Sequence, residues 1–562
     1  MYKKNAFVLL FFIVFSIIVT SPLIFNFTES IPYDFEFPSS NKALIFKAQS
    51  SDVWLHLWNL WWIKHSLLYL KTNPYFTNLF FHPQGTHLYL HSLNLAGGII
   101  SIPFQYAFNL QGAYNTMFLL SFILSGFFMY KLAYYFTEDT LPSVTAGIIY
   151  MMSPYHFEHV YHLEHMSIQW VPVFVYTFIR AVKERRYKYL VFSIVFFIII
   201  FYTDLYASVT VSILSVILLV SFFSYSKQLV NLMLIFILFV LISVLPVVIP
   251  IISESLKFDY MKSPDKIYIA NSADILSFFV PPYFNSMFGT FTAKIYNNFT
   301  GTEKCAYLGY TTLILSFFGL KENRFKKLFL SIFLLFTMLA LGPYLHVNGN
   351  VLSIPLPYLI LKQIPFLSSG RVPIRFILID YLVLSILSAY GIKYLLCRTG
   401  RFWVLYIFIL IFISNDYTPK PLAFVDLKYD EFYDRLASEK EDFAVCEVPI
   451  TEWPEPLQYY QSIHKKPILA GMITYINPES YKFIFNTPLL LELYNPTLIT
   501  EEKDLSYYLK GIEIMKQNKI KYIIFHEMYF HAKTREIYNI LFENVLKLEK
   551  FYSSEEIKVY KI

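Results

Sequence analysis

The sequence predicts an all-α polytopic membrane protein of about eleven transmembrane helices that ends in a small α/β domain. The 562 residues are 56% hydrophobic and only 15% charged, with a mean hydropathy of +0.47. Apolar runs near bilayer length recur along the chain, as in polytopic membrane proteins. From about residue 415 the charge density rises and the apolar runs shorten. We therefore predict a membrane domain at 1–414 and an extracytoplasmic domain at 415–562.

Charge and cysteine content exclude several functional classes. The net charge of +6 is small and is concentrated at the ends of the apolar segments, so nucleic acid is not an expected partner. The three cysteines are scattered, with no CxxC pair. Neither a disulfide scaffold nor a zinc site is therefore predicted.

The distribution of basic residues predicts the orientation. Lys3 and Lys4 precede the first apolar segment and place the N-terminus in the cytoplasm of a plasma-membrane protein. A first outer loop at 26–112 follows. Its apolar piece at 93–110 is interpreted as re-entrant or interfacial, because counting it as a span would put the basic sequence KERRYK outside. The predicted spans are 6–25, 113–136, 141–153, 166–182, 189–202, 205–223, 229–250, 306–320, 328–345, 374–396 and 402–414.

The C-terminal segment combines strand and helix patterns. FAVCEVPI and IKYIIFHE are typical of buried strands, and DLSYYLKGIEIMKQNK has the period of an amphipathic helix. With an odd number of spans this domain lies outside the cell.

A tryptophan-rich helix is predicted at 50–70, in the first outer loop. Asp52, His56 and Asn59 share one face at helical spacing, and Trp54, Trp58 and Trp61 line another. Because tryptophan favours the lipid headgroup layer, we expect juxtamembrane helices here, lying along the membrane surface and holding Asp52 at the lipid boundary. The alternative is an ordinary surface helix with Asp52 as its N-cap.

Ionisable residues gather on the predicted outer face. Carboxylates near a membrane are costly unless something pairs with them, and two arginines at i and i+4 suit a phosphate. The alternatives are a solvated loop for HLEH, flanking charges for the arginines and a hairpin break for the aspartate. The candidate site residues are Asp52, His56, His162, Glu164, His165, Asp204, Arg371 and Arg375.

At these residues the chain resembles the GT-C superfamily of membrane glycosyltransferases, and most of all its prokaryotic members akin to protein O-mannosyltransferases, aminoarabinose transferases and the catalytic subunit of oligosaccharyltransferase. The resemblance rests on SSDVWLHLWNLWW, GIIYMMSPYHFEH, HLEHMSIQW and RVPIRF, with YYQSIHKKPILAGM in the outer domain. It implies Asp52 as the catalytic base, Glu164 as a second outer-loop acid, and Arg371 or Arg375 on the donor phosphate. Many members carry two acids where this chain has Ser50, Ser51 and Asp52. A divalent cation, Mg²⁺ or Mn²⁺, therefore stays open, with Asp52, Glu164 and His165 as its candidate ligands.

These features predict a hexosyl- or pentosyltransferase of GT-C type. It would transfer a sugar, with inversion, from a polyprenyl-phosphate donor in the bilayer to an extracytoplasmic glycan, lipid or protein. Two other classes remain open: a transporter or flippase of lipid-linked glycans, and a non-catalytic membrane scaffold. A transporter would more often show inverted repeats and broken helices.

Overall fold

The computed structural model of the protein describes residues 2–35, 52–223, 225–261, 263–363, 370–398, 402–451, 456–499 and 504–562. Packing divides the chain into unit 1, residues 1–50 and 94–425, and unit 2, residues 51–93 and 426–562. Residues 51–93 thus pack with the C-terminal segment, and the boundary at 414/415 stays a prediction. Ser50 and Ser51, which precede the proposed base, lie outside the described residues.

The described part of the chain is mostly helical. Its helices are α1 (Tyr2–Val19), α2 (Asp52–Lys64), α3 (Leu95–Ala107), α4 (Leu110–Thr137), α5 (Thr140–Met151), α6 (Pro154–Glu158), α7 (Leu163–Met166), α8 (Trp170–Glu184), α9 (Tyr187–Thr203), α10 (Leu205–Phe222), α11 (Lys227–Lys257), α12 (Asp265–Ala270), α13 (Gly289–Tyr296), α14 (Tyr310–Glu322), α15 (Lys326–Ala340), α16 (Tyr358–Leu361), α17 (Ile377–Leu396), α18 (Phe402–Tyr417), α19 (Phe432–Ser438), α20 (Leu457–His464), α21 (Lys482–Asn486), α22 (Leu490–Tyr494), α23 (Leu505–Gln517) and α24 (Ala532–Asn539). The strands are β1 (Ser30–Phe35), β2 (Phe76–Thr77), β3 (Thr86–His87), β4 (Tyr344–Val347), β5 (Asn350–Pro355), β6 (Leu422–Asp426), β7 (Ala444–Val448), β8 (Ile520–Phe525), β9 (Glu549–Ser553) and β10 (Lys558–Lys561).

Unit 1 contains the segments predicted to cross the membrane. Among the described residues, four helical segments are long and apolar enough to do so: Leu110–Thr137, Leu205–Phe222, Lys227–Lys257 and Pro373–Leu396. Each of the eleven predicted spans overlaps at least one helix of unit 1. By length and composition these helices suit a membrane protein, and the limits of the membrane domain and the number of crossings stay predictions.

The apolar piece of the first loop forms α3. Its 13 residues extend about 20 Å at 1.5 Å per residue, which is less than the roughly 30 Å of a hydrocarbon core. The Asn94 side chain accepts a hydrogen bond from the Gly97 N–H at 2.9 Å and so caps the helix. This length suits the interpretation of α3 as something other than a full span.

Two glycines allow α14 and α17 to pack closely. A Cβ atom at Gly319 would lie 2.0 Å from the carbonyl oxygen of Leu387, and one at Gly391 would lie 1.9 Å from that of Leu315. Small residues let helix backbones approach in this way in membrane proteins. The contact positions α17, and the turn that leads into α17 carries Arg375.

Unit 2 contains a four-stranded sheet in the order β7-β8-β10-β9. Strands β7 and β8 are parallel, and β10 is antiparallel to both β8 and β9. The two predicted strand segments form β7 and β8, and the predicted amphipathic segment forms α23. These three predictions are confirmed.

The tryptophan-rich helix α2 is buried inside unit 2. Trp54, Trp58 and Trp62 are buried, and the indole N–H of Trp58 donates to Oε1 of Gln461 at 2.6 Å. Trp61 is only partly buried. The expectation that the rings lie half wet at a membrane surface is wrong for Trp54 and Trp58, because Tyr459 and Gln461 of α20 contact them. An apolar helix face indicates that the face is shielded from water. The sequence pattern does not distinguish whether lipid or protein shields it.

The glycine contact predicts the effect of one added methyl group. Replacing Gly391 with alanine should lower the free energy of unfolding by roughly 1–3 kcal/mol, the usual cost of overpacking, because α14 and α17 must separate. Thermal unfolding of the detergent-solubilised protein measures the change. The matched control is Val404→Ile, which adds one methyl group to an exposed side chain and should leave the transition unchanged. Equal transitions for Gly391→Ala and the wild type would contradict the close packing.

Candidate functional site

Unit 1 holds a group of charged side chains from four segments that are distant in sequence. These segments are the loop around α6 and α7, the turn between α9 and α10, the residues before α14 and the turn that precedes α17. We name the group the ionic cluster and define it as His159, His162, Glu164, His165, Asp204, Glu303 and Arg375, with Arg371 attached through its backbone N–H. All four segments lie at ends of apolar helices.

Glu303 is the centre of the ionic cluster. Nε of Arg375 donates to both its carboxylate oxygens, at 2.9 and 3.0 Å, and Nη2 of Arg375 donates to Oε1 as well. The side chains of Arg375 and Glu303 are only 11% and 3% exposed. Burial alone would raise the pKa of Glu303, but the charges of Arg375 and His159 outweigh it and hold that pKa well below its usual value.

His159 links Glu303 to the loop of α6. Its Nε2 lies 3.0 Å from Oε2 of Glu303, and its Nδ1 lies 2.6 Å from the carbonyl oxygen of Tyr155. Both ring nitrogens therefore face acceptors, so both hydrogen bonds form only when the ring carries two protons. A metal ion on Nε2 would be the other way to satisfy this arrangement, because metal-binding histidines commonly donate the second N–H to a carbonyl.

One group of side chains has the spacing of a metal site. Ligand atoms of His159, His162 and Glu303 all lie within 4.8 Å of one another. Glu303 is already neutralised by Arg375, and a dication would be repelled by that arginine. Metal binding here would therefore have to displace one of the bonds between Arg375 and Glu303.

His165 lies between two carboxylates. Its Nδ1 is 2.9 Å from Oδ2 of Asp204, and its Nε2 is 3.3 Å from Oε1 of Glu164. Oδ1 of Asp204 accepts the backbone N–H of Tyr206 at 2.7 Å and so caps α10. The carboxylate that begins the helix thus also orients the imidazole, and the imidazole in turn orients Glu164.

Tyr206 connects the two halves of the ionic cluster. The guanidinium of Arg375 lies over its ring, 4.6 Å from the centroid, which is a favourable cation–π distance. Its hydroxyl accepts the backbone N–H of Arg371. The ring of His165 is 6.2 Å away, in an edge-to-face arrangement.

Glu158 fixes the segment that carries Glu303. Its Oε1 accepts the backbone N–H groups of Lys304 and Cys305, at 2.8 and 3.0 Å. Burial is the main influence on this carboxyl and raises its pKa to about 8. Glu158 therefore holds its proton in the folded state over most of the neutral range.

Six candidates lie in unit 1, and five of them belong to the ionic cluster by their side chains: His162, Glu164, His165, Asp204 and Arg375. Arg371 contacts it through its backbone N–H, which donates to the Tyr206 hydroxyl. The other two, Asp52 and His56, lie on the first two turns of α2 in unit 2, where His56 is buried and Asp52 is partly buried. The roles predicted for all eight, including the metal set of Asp52, Glu164 and His165, stay predictions.

Glu303, Tyr206 and His159 are not among the site residues predicted from the sequence. Glu303 is a lone acid in the polar stretch GTEK, immediately before an apolar segment. Asp52 was selected because it is a lone acid in an outer loop, and the same criterion applied to Glu303 would have found it. Glu303 pairs with Arg375, which is 72 residues away in the sequence. No local sequence pattern indicates a contact of this kind.

Neutralising Glu303 tests whether the ionic cluster stabilises unit 1. Glu303→Gln should lower the free energy of unfolding by about 3–5 kcal/mol, because it leaves Arg375 buried without its counter-charge. The control is Asp265→Asn, which breaks an exposed pair with Lys362 and should cost less than about 1 kcal/mol. Thermal unfolding in detergent compares the two variants, and equal shifts would rule out a buried, mutually dependent pair.

The raised pKa of Glu158 predicts a pH dependence of stability. The folded state binds this proton more tightly than the unfolded state, so the associated stability is complete below about pH 4.5 and is lost as the pH rises through about 8. Glu158→Gln keeps an oxygen for both backbone N–H groups and should flatten this decline. Unfolding midpoints measured between pH 5 and 9 test it, with the exposed Glu29→Gln as the control. A wild-type decline that persists in Glu158→Gln would assign it to other groups.

Comparison with known proteins gives distant structural similarities. The apo oligosaccharyltransferase of Archaeoglobus fulgidus matches with a TM-score of 0.47 and 12% identity, over 93% of this chain and 69% of that one. The archaeal oligosaccharyltransferase AglB of the same organism, in complex with an inhibitory peptide and a dolichol-phosphate, matches at 0.44 and 13%, over 96% and 71%. The complex with Zn and sulfate matches at 0.45 and 12%, over 98% and 72%. These TM-scores lie below 0.5, so the likeness carries no weight for the function. No curated protein matches the sequence.

A family model provides the one assignment that the sequence supports directly. It matches residues 95–413, which is more than half of the chain and lies within unit 1. The matched segment includes the whole ionic cluster. The chain therefore belongs to the family described as Domain of unknown function (DUF6311).

Proposed function

We propose that this protein is a membrane glycosyltransferase that takes a sugar from a polyprenyl-phosphate donor and transfers it to an extracytoplasmic glycan, lipid or protein. The observation that carries the proposal is the convergence of Glu164, His165, Asp204 and Arg375 in one buried ionic cluster at the ends of apolar helices. These residues come from three separate segments and were selected from the sequence for this chemistry. Buried charges of this kind mark functional sites in membrane proteins.

The arginines are proposed to bind the phosphate of the donor. Arg375 uses Nε and Nη2 for Glu303, and its Nη1 has no hydrogen-bond partner among the described residues. Glu303 and the ring of Tyr206 fix the plane of the guanidinium before any ligand arrives. A cation held in this way stabilises charge on a leaving phosphate without reorganisation. Arg371, whose backbone is held by Tyr206, would supply the second cation.

The transfer itself needs a base and a single displacement. Asp52 would remove the proton of the acceptor hydroxyl while the acceptor oxygen bonds to the anomeric carbon. The bond from that carbon to the phosphate oxygen breaks, and polyprenyl phosphate leaves with the electron pair. The sugar passes through an oxocarbenium-like state, and one displacement inverts the anomeric centre.

The remaining candidates are proposed to position the substrates. Glu164, oriented through His165 and Asp204, would bind sugar hydroxyls together with His162, and His56 is proposed to bind substrate as well. A divalent cation would neutralise phosphate charge when bound. Both nitrogens of His165 already face carboxylates, so the set Asp52, Glu164 and His165 requires one of these contacts to open. His159, His162 and Glu303 have the more suitable spacing.

Asp52→Asn tests the proposed base. Loss of a positioned base typically costs about 10²–10⁴ in rate, so the variant should nearly abolish transfer and still insert into membranes. The assay incubates purified protein with polyprenyl-phosphate sugars and measures sugar release and transfer. The control is Asp426→Asn, an exposed acid of unit 2, which should react at the wild-type rate.

Two results would overturn the proposal. Normal turnover by Asp52→Asn would falsify the role of this residue. Donor binding by the wild-type protein without any turnover would favour a transporter or a scaffold.

A further inference from the structure

Unit 2 contains a second group of titratable side chains, which the proposed transfer does not use. Glu447, His526, Tyr433 and His464 meet at one edge of the four-stranded sheet, and all four are buried. They come from β7, the residue after β8, α19 and α20 respectively. We name this group the sheet-edge cluster.

The position of the sheet-edge cluster follows from strand direction. Because β7 and β8 are parallel, with Val448 opposite Phe525, both strands end at the same edge. The backbone N–H of His526 donates to the carbonyl oxygen of Val448 at 3.0 Å, which holds the two ends together. Ligands of α/β sheets bind outside the carboxyl ends of parallel strands.

Glu447 orients the imidazole of His526. Nε2 of His526 lies 2.7 Å from Oε2 of Glu447, and the Tyr433 hydroxyl donates to the same carboxylate at 3.2 Å. Nδ1 of His526 has no protein partner among the described residues. Proteins often orient a histidine with a buried carboxylate that binds one ring nitrogen. The other nitrogen is then available to bind a ligand or accept a proton.

His464 points an unused donor into the same place. Its Nδ1 accepts the backbone N–H of Lys466 at 3.0 Å, so the neutral ring carries its proton on Nε2. Nε2 lies 4.0 Å from Oε1 of Glu447 and has no hydrogen-bond partner in the part of the chain that the structure describes. Burial lowers the pKa of His464 to about 3, which keeps the ring neutral. A buried N–H donor without a hydrogen-bond acceptor destabilises the fold unless a ligand or a water molecule accepts its hydrogen bond.

Aromatic rings connect the sheet-edge cluster to the surface. The ring of Tyr460 lies 4.8 Å from that of Tyr433 and stacks on His526 at 6.2 Å. The ring of Tyr529 lies 5.7 Å from His526, and this side chain is 38% exposed. Flat aromatic faces beside a few fixed polar groups are typical of small-molecule sites.

Hydrogen-bonding requirements select the ligand. A group between His464 and Glu447 must accept from Nε2–H and donate to the carboxylate, and a hydroxyl does both. The neighbouring rings offer apolar faces to the C–H groups of the same ligand. Sugars combine hydroxyl groups with an apolar ring face. A metal ion is less suitable, because the one described set with metal spacing is His159, His162 and Glu303.

We propose that the sheet-edge cluster of unit 2 is a saccharide-binding site, in which His464, Glu447 and His526 bind sugar hydroxyls and Tyr529 and Tyr460 cover the sugar ring. This inference goes beyond the proposed transfer reaction and does not depend on it. It gives unit 2 a role of its own, the recognition of a carbohydrate.

The test is sugar binding by the full-length protein. The protein is placed in phospholipid nanodiscs, because common detergents carry sugar headgroups. Saturation-transfer NMR then measures contact with methyl glycosides of glucose, galactose, mannose and N-acetylglucosamine. We expect at least one glycoside to bind, and His526→Gln to weaken that binding about tenfold or more, as expected for loss of one hydrogen bond to a charged pair. Tyr529→Ala should weaken it as well, because the aromatic face that covers the sugar ring is lost. The control is His531→Gln, an exposed histidine five residues along the chain, which should bind normally.

Failure of this site can be distinguished from failure of the proposed enzyme. Absence of saturation transfer to every glycoside, or equal binding by the wild type, His526→Gln and Tyr529→Ala, would overturn the inference. If His526→Gln does not fold, the surface substitution Tyr529→Ala decides the question by itself. Sugar release from polyprenyl-phosphate sugars depends on Asp52 and the ionic cluster, so a wild-type protein that binds a glycoside but releases no sugar would overturn the proposed enzyme and leave the saccharide site standing.

Discussion

The ion pair between Arg375 and Glu303 is the interaction on which the arrangement of unit 1 depends. Removing two charges from water costs several kcal/mol for each ion, and only a geometry with several hydrogen bonds compensates for it. Here Nε and Nη2 of Arg375 bind the carboxylate, and His159 binds it from another side. Because each of these groups neutralises or orients another, the ionic cluster forms as a whole or not at all.

This pair also explains where the charges lie along the helices. Ionisable side chains within a bilayer are costly and are placed where partners meet them. Asp204 occupies the turn between α9 and α10 and caps the second of these helices. Glu303 precedes α14, and Arg375 precedes α17, which packs against α14 through Gly319 and Gly391. The helix contact therefore sets the position of the arginine, and the arginine sets that of the carboxylate.

Local sequence patterns predicted which segments form helices and strands better than they predicted what covers those elements. The apolar runs predicted a helix for every proposed span, and two apolar segments predicted β7 and β8, because the period of a segment is a local property. The burial of Trp58 in unit 2 was not predictable in this way, because the tryptophan pattern is the same whether lipid or protein covers the face. Six site candidates in unit 1 were found as charges near predicted helix ends. Glu303 was missed because only its tertiary contact with Arg375 makes it important.

The claim at the centre of this account is that fixed cations in unit 1 bind a lipid phosphate. Native mass spectrometry of the wild-type protein with a sugar-free polyprenyl phosphate tests this most directly. We expect one bound polyprenyl phosphate per chain, retained when phosphatidylglycerol competes and lost when Arg371 and Arg375 are both changed to glutamine. A protein that binds no polyprenyl phosphate, or that binds it equally well without these two arginines, would contradict this claim.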